Sequence, residues 1–321
     1  MSVNLVIEQL VNGVTLGGMY ALIALGYTMV YGIVLLINFA HSELFMSGAF
    51  VGLGTMTVLS SPSLAAKYPA FAPLQRFFTG SSVGLVCMFV VVFLVSMIVV
   101  GCMGVIIERF AYRPLRHAPR LSALISAVGV SIFLSNAVLL WVSSRALPFP
   151  LPFTVTTAFH IGSVPVNSLK VMIVGTAIVL LIVLDLFISR TRIGKSMRAT
   201  SQDREAAGLM GIDINFVIAI AFFIGPAFGA VAGVFSGMYY GSIIFSMGFI
   251  PGIKAFTAAV LGGIGNLRGA MLGGFTLGIA ESLAAGFLSA SYKDVIAFLI
   301  LILVLIFRPG GLLGESVVEK V

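Results

Sequence analysis

The sequence predicts an all-α polytopic integral membrane protein, with about eight transmembrane helices, a further short or re-entrant helix, and two pseudo-repeated halves. Three observations carry that prediction. The 321 residues are 60% hydrophobic and only 9% charged, with a mean hydropathy of +1.15, whereas soluble domains run about 25% charged. So little polar surface cannot coat a globule in water, and the solvent must be lipid. Apolar runs near the roughly 20 residues that span a bilayer recur along the whole chain. They lack strand-like alternation, and lipid obliges a backbone to satisfy its own hydrogen bonds, which selects helices over a barrel.

Taken in order, the spans are 10–37, 44–59, 83–107, 121–142, 171–188, 216–239, 270–288 and 295–307. The run 255–264 is too short to cross alone. The first span is longer than one crossing needs, which leaves the side of Met1 open. Residues 1–10 carry Glu8 and no basic cluster, so no cleavable signal peptide is expected. Cys87 and Cys102 share the third span, about 22 Å apart on a helix and so too distant to pair. They read as small core hydrophobes.

Basic residues orient the spans. The connection 108–120 holds Arg109, Arg113, Arg116 and Arg120, and 189–213 holds Arg190, Arg192, Lys195, Arg198 and Arg204. By contrast, 60–82 has only Lys67 and Arg76, and 143–170 only Arg145 and Lys170. Lys and Arg concentrate on the cytoplasmic side, and two spans separate the two basic connections, so both face the cytoplasm. The tail from Arg308 joins them, provided that 255–264 completes a crossing and 266–269 turns inside. The net charge of +7 therefore sets topology, and no nucleic-acid partner is expected.

Two glycine motifs mislead. Gly194-Lys195-Ser196 ends like a phosphate loop, but Ser189 stands where the first glycine belongs and an apolar helix, not a strand, precedes it. The glycine-rich run 262–269 misses dinucleotide spacing and reads as a tight re-entrant turn. The sequence has no H-E-x-x-H or P-C-x-x-C, and no catalytic constellation or metal site is expected. Gly225, Gly229, Gly233, Gly237 and Gly241 recur every four residues. They make a helix-packing seam on which another helix approaches closely, and its smoothness would let helices slide during gating.

Ionisable groups in apolar segments point to function. They are the cluster from Asn38 through His41 to Glu43, Lys254 after Pro251-Gly252, and Glu281 within its span. The cluster reads either as a short loop with Asn38 or Ser42 capping the next helix, or as a broken helix lining a substrate path. In the second reading a helix N-terminus faces an anionic group such as a carboxylate. Asn38, His41, Glu43 and Lys254 are the candidate pathway residues. A gapless overlay of 39–52 on 249–262 gives a faint internal repeat, with weak halves at about 1–165 and 166–321 of one 1–321 transmembrane domain.

Longer motifs are more specific. They are GYTMVYG at 26–32 leading into INFAHSE at 37–43, ERFAYRPLR at 108–116, LISAVGVSIFL at 124–134, KAFTAAVLGGIG at 254–265 and RPGGLLG at 308–314. In this order, over essentially the whole chain, they resemble the permease subunits of branched-chain amino-acid ABC importers, in particular the shorter of the two homologous permeases. One departure is Ser42, where that family usually has glycine.

The resemblance implies a division of labour. The permease does no ATP chemistry and binds no cofactor. It pairs with a homologous second permease subunit in a bacterial inner membrane. Two ABC ATPase subunits hold ATP and Mg, and a periplasmic amino-acid-binding protein delivers leucine, isoleucine or valine. The resemblance also places Gly194, Arg198, Ala199, Asp203, Ala207 and Gly211 in the coupling element that seats on the ATPase. One helix over 195–210 would present small Ala199, Ala206 and Ala207, apolar Met197, Leu209 and Met210, and the rim charges Arg198 and Arg204. Two alternatives stay open. One is a relative importing urea or short amides. The other is an ion-coupled carrier relaying protons through His41, Glu43 or Glu281, which would have no use for a docking loop.

Overall fold

Lipid solvent and continuous apolar sequence leave the backbone one solution, and helices carry most of the chain. The computed structural model describes residues 3–34, 38–68, 72–116, 118–151, 153, 155–308 and 310–313. Met1, the end of the predicted first span (35–37), Pro309 and Gly314 lie outside the described residues, as does the Arg120 side chain.

Helix α1 (Val3–Val34) is about 48 Å long at 1.5 Å per residue, enough for one full crossing and an overshoot. It starts seven residues before the predicted span because polar Asn4, Glu8 and Gln9 are tolerated in its first turns. Helix α2 (His41–Ser60) and two short helices, α3 (Pro62–Lys67) and α4 (Ala72–Gly80), follow. Ser81 caps α5 (Ser82–Ile107) by accepting from the Gly84 amide, and the helix runs on through a π turn, Glu108–Tyr112. Cys87 and Cys102 are free thiols on it. Next comes α6 (Arg120–Trp141), then strand β1 (Leu147–Pro148) and the hairpin β2 (Thr157–Ile161) and β3 (Val164–Asn167). Gly162, at φ 63°, makes the hairpin turn.

Helix α7 (Ser168–Arg190) leads into α8 (Arg192–Gln202), α9 (Arg204–Leu209) and the long α10 (Ile214–Tyr240). Strand β4 (Ser242–Ile243) pairs antiparallel with β1. The chain closes with α11 (Phe249–Gly262), α12 (Leu267–Phe287) and α13 (Lys293–Phe307). Among the described residues eight helices are long and apolar enough to cross a membrane, and α11 is the shorter apolar one. That is the predicted set of spans. The two small strand pairs, which no alternation announced, are the addition.

One expectation fails. The single helix over 195–210 is broken at Asp203, whose backbone is extended (φ −154°, ψ 113°) and whose carboxylate accepts from the Ala206 amide at 3.0 Å. Asp203 is a good N-cap, so it ends α8 and starts α9.

The basic connections converge on one face. Arg116 pairs with Glu108 and donates to Asn215 at the start of α10, while Arg204 donates to the Ile33 carbonyl at the end of α1. Arg268 pairs with Asp185 near the end of α7. The tail lies here too, since the Leu312 and Leu313 amides donate to Leu261 and Gly262, and Asn266 donates to Leu313. The segment from β4 through α11 therefore returns the chain to the basic face, as the parity requires. The start of α1 sits on the opposite face, where Lys170 donates to Asn12 and the β2–β3 hairpin packs beside Leu10. That settles the side left open by the length of the first span.

Helices α1 and α10 form the buried centre and lie against each other. Their packing is reciprocal. Helix α1 covers α11 and α12, α10 covers α2 and α5, and α2 and α11 meet between them. Four glycines of the predicted seam serve this. Gly225 faces the Gly26 backbone, Gly229 the His41 ring, Gly233 the Phe45 carbonyl and Gly237 the Phe149 ring. A side chain would have little or no room at Gly225, Gly233 and Gly237, whereas a methyl at Gly229 would make ordinary contacts. Gly241 leaves the seam. At φ 70° it is the left-handed cap that ends α10, with open space around it. A second seam escaped the sequence reading. Gly13 and Gly17 on α1 meet α12 at Gly274, Phe275, Gly278 and Ile279, a close approach built from two small-xxx-small spacings.

Candidate substrate pathway and coupling face

Two helices begin inside the bundle. Helix α2 starts at His41, whose ring lies against Gly26, about 12 Å back from the end of α1 at Val34. Helix α11 starts at Phe249, with its N-cap Gly248 against Ser42 and Glu43. Neither start has a side-chain cap, so the capping expected of Asn38 or Ser42 does not occur. The Ser42 hydroxyl donates back to the Phe39 carbonyl, and Asn38 Oδ1 accepts from Tyr112 at 2.6 Å. Both groups are spent on fixing the connection and are not available to the helix end. Position 42 has ordinary helical backbone, and Gly252 opposite it leaves the room that a serine side chain needs. The departure from glycine is thus accommodated by its neighbour.

Glu43 holds the junction. It is in the first turn of α2, is only 3% exposed, and places Oε2 2.8 Å from where a Cβ on Gly248 would stand. The anionic group at these two positive helix ends is therefore the protein's own carboxylate. Glu43 Oε1 accepts a long bond, 3.4 Å, from Ser131 of α6, and Oε2 has no hydrogen-bond partner among the described residues. Beside Glu43 opens a cavity of about 370 Å³ lined by α1, α2, α6 and the start of α11. Its wall is apolar at Tyr27, Phe39, Val128 and Ile253 and polar at Ser131 and Ser135.

The other candidate pathway residues do not line this cavity. His41 is fully buried behind it, edge-on to Tyr27 at 4.7 Å, with Nε2 donating to the Ile23 carbonyl at 3.2 Å. Asn38 is held by Tyr112. Lys254 belongs to a separate buried cluster, where its ammonium contacts Glu281 Oε1 and Asp294 Oδ1, each at 2.6 Å. Tyr20 donates to the other Glu281 oxygen at 2.9 Å. Pairing leaves none of these buried charges uncompensated. Opposite charges in two apolar segments were the legible signal for Lys254 and Glu281, whereas Asp294 at a helix start and Tyr20 within α1 carried none. The polar residues of α6 were also missed, although Ser131 and Ser135 are spaced to share one face of an apolar helix.

On the basic face, Gly194 lets α8 turn back on α7, since any side chain there would run into the Ile188 backbone. Thr191 caps the new helix by accepting from the Gly194 amide. Arg198 is exposed, Ala199 half-buried and Ala207 buried, and Gly211 takes a left-handed φ of 82° after α9. Leu209 and Met210 protrude at 89% and 83% exposure. Met197 and Arg204 do not protrude, contrary to expectation: Met197 lies before the break at Asp203, on the inward face of α8. Met197 is 2% exposed against the core, and Arg204 turns in to the Ile33 carbonyl. Burial, with the Arg116 charge next, holds its guanidinium below the ordinary value.

A profile described as "Branched-chain amino acid transport system / permease component" matches residues 9–305. The chain is 47% identical over 318 residues to the high-affinity branched-chain amino acid transport system permease protein BraD of Pseudomonas aeruginosa, covering 98% of both chains. It is 43% identical over 318 residues to the corresponding permease protein LivH of Escherichia coli K12, covering 98% of this chain and 97% of that one. A weaker likeness, 31% over 195 residues, joins 58% of it to 55% of the autoinducer 2 import system permease protein LsrC of an Enterobacter species. No solved structure matches.

Proposed function

The chain belongs to the permease family of branched-chain amino acid transport systems, and from that premise we propose that it is the shorter of two homologous permeases in an ABC importer of a bacterial inner membrane. It is a multi-pass membrane protein and a permease component of such a transport system. Leucine, isoleucine or valine, released by a periplasmic binding protein, crosses between the two permeases by alternating access. Two separate ATPase subunits bind ATP and Mg beneath them, so this chain needs no cofactor. Residues of α8 and α9, with Leu209 and Met210 outermost, are the coupling surface. The two reciprocal groups of helices act as repeated halves that rock against each other.

The observation that supports this best is the meeting of two helix starts at mid-depth beside an amphipathic cavity, the arrangement in which transporters hold substrate. Uptake into proteoliposomes tests it. Leucine accumulation should require the ATPase subunits, ATP and the loaded binding protein. Accumulation by this chain alone under a proton gradient would overturn the reading, and a preference for urea over leucine would change the cargo.

A further inference from the structure

We propose that the Glu43 carboxylate receives the ammonium group of the amino acid as it passes the middle of the membrane. The inference rests on the importer reading above. Glu43 is a buried group with nothing assigned to its second oxygen. Oε1 has one long contact with Ser131, and Oε2 has no hydrogen-bond partner among the described residues. A carboxylate removed from water and left without a donor is costly. The helix starts at His41 and Phe249 supply a positive field but no hydrogen bond to Oε2.

No side-chain cation within the described spans stands in for that donor. Lys254, buried on the neighbouring helix, is held between Glu281 and Asp294. Oε2 is itself buried, with under 1 Å² exposed, so a donor that arrives with the substrate resolves the deficit once the carboxylate turns toward the cavity. An α-ammonium is compact, cationic and rich in N–H groups, and a charge-assisted bond to a carboxylate is about twice as strong as a neutral one.

The cavity matches the rest of such a molecule. At about 370 Å³ it lies within the roughly 300–1,000 Å³ of ordinary small-molecule sites. Glu43 and Ser131 stand together on its polar side, and Val128, Ile132 and Ile253 offer an aliphatic surface. A zwitterion with a branched aliphatic side chain has both characters. A neutral amide has no use for the carboxylate. An acid without an amine would be repelled by it.

The test uses the complete importer in proteoliposomes, with leucine uptake and ATP hydrolysis measured together. Glu43→Gln keeps the shape and removes the charge. It should lower leucine uptake about tenfold or more, with ATP hydrolysis within about twofold of the unsubstituted importer, and Glu43→Asp should recover much of the uptake. Glu43→Gln transporting leucine within twofold of the unsubstituted importer would overturn the proposal and leave the importer reading intact. Failure of the unsubstituted importer to move leucine would overturn the importer reading itself. If Glu43→Gln fails to assemble, Ser135→Phe decides, because it narrows the same cavity and leaves Glu43 in place. Blocked uptake with normal assembly supports the site, and undiminished uptake overturns it.

Discussion

Ser42 and Gly252 touch where the two interrupted helices begin, and a Cβ on Gly252 would run into the Ser42 side chain. The same two residues are paired by the gapless overlay of 39–52 on 249–262. The overlay thus aligns two residues that also meet in space.

That contact predicts a compensating pair. Gly252→Ala should destabilise the protein by about 1–3 kcal/mol, the usual cost of overpacking a tight interior. Ser42→Gly in the same chain should restore most of the loss, because it removes the atoms with which the new methyl collides. Thermal unfolding of the two single variants and the double variant in detergent measures this. Equal stability of Gly252→Ala and the parent would show that the two helix starts are not in close contact.

The Lys254 cluster predicts a different asymmetry. Lys254→Met leaves Glu281 buried with only the Tyr20 hydroxyl, and breaking a buried pair from one side costs about 3–5 kcal/mol. Adding Glu281→Gln removes the orphaned charge and should recover at least half of that cost. Asp294 is partly exposed and can turn to solvent or to headgroups. Unfolding temperature and monodispersity report the outcome. A double variant as unstable as the single one would mean that Lys254 acts through packing alone.

How much of this was legible in the sequence follows from what each feature depends on. The spans and their orientation depend on composition along the chain, which is local, so all eight crossings and the shared basic face were readable. Glu43 was readable as a costly charge in an apolar setting. Its separation from Lys254 was not, since that depends on which way α11 faces, and a shift of about two residues in phase would reverse it. The single helix over 195–210 failed for a local reason that was available: Asp203 followed by Arg-Glu is a better helix start than a helix interior. The seam at Gly13, Gly17, Gly274 and Gly278 was present as two spacings but needed the tertiary pairing of α1 with α12 to give it meaning.

The turn at Gly194 should be intolerant of any side chain. A Cβ there would meet the Ile188 backbone, which cannot move aside as a flexible side chain could. Gly194→Val should therefore tilt α8 away from α7 and displace Met197 from the core. We expect intact membrane insertion with loss of ATPase association, read by co-purification. Normal association would mean that the angle between α7 and α8 does not position the coupling surface.

The protruding pair Leu209 and Met210 gives the sharpest test of that surface. They are 89% and 83% exposed, outside the eight spans and on the face that holds the basic connections. Apolar side chains standing free in water are commonly anchors for a partner, and removing one such anchor costs about 2 kcal/mol or more. Leu209→Asp with Met210→Asp should weaken co-purification with the ATPase subunits at least about tenfold. Monomer stability should be unchanged, because neither side chain packs on the rest of the chain. Arg198→Glu, at an exposed rim position, should act more weakly and chiefly at low salt. If Arg198→Glu abolishes association while the double aspartate variant leaves it untouched, the docking is electrostatic and the apolar pair has another purpose.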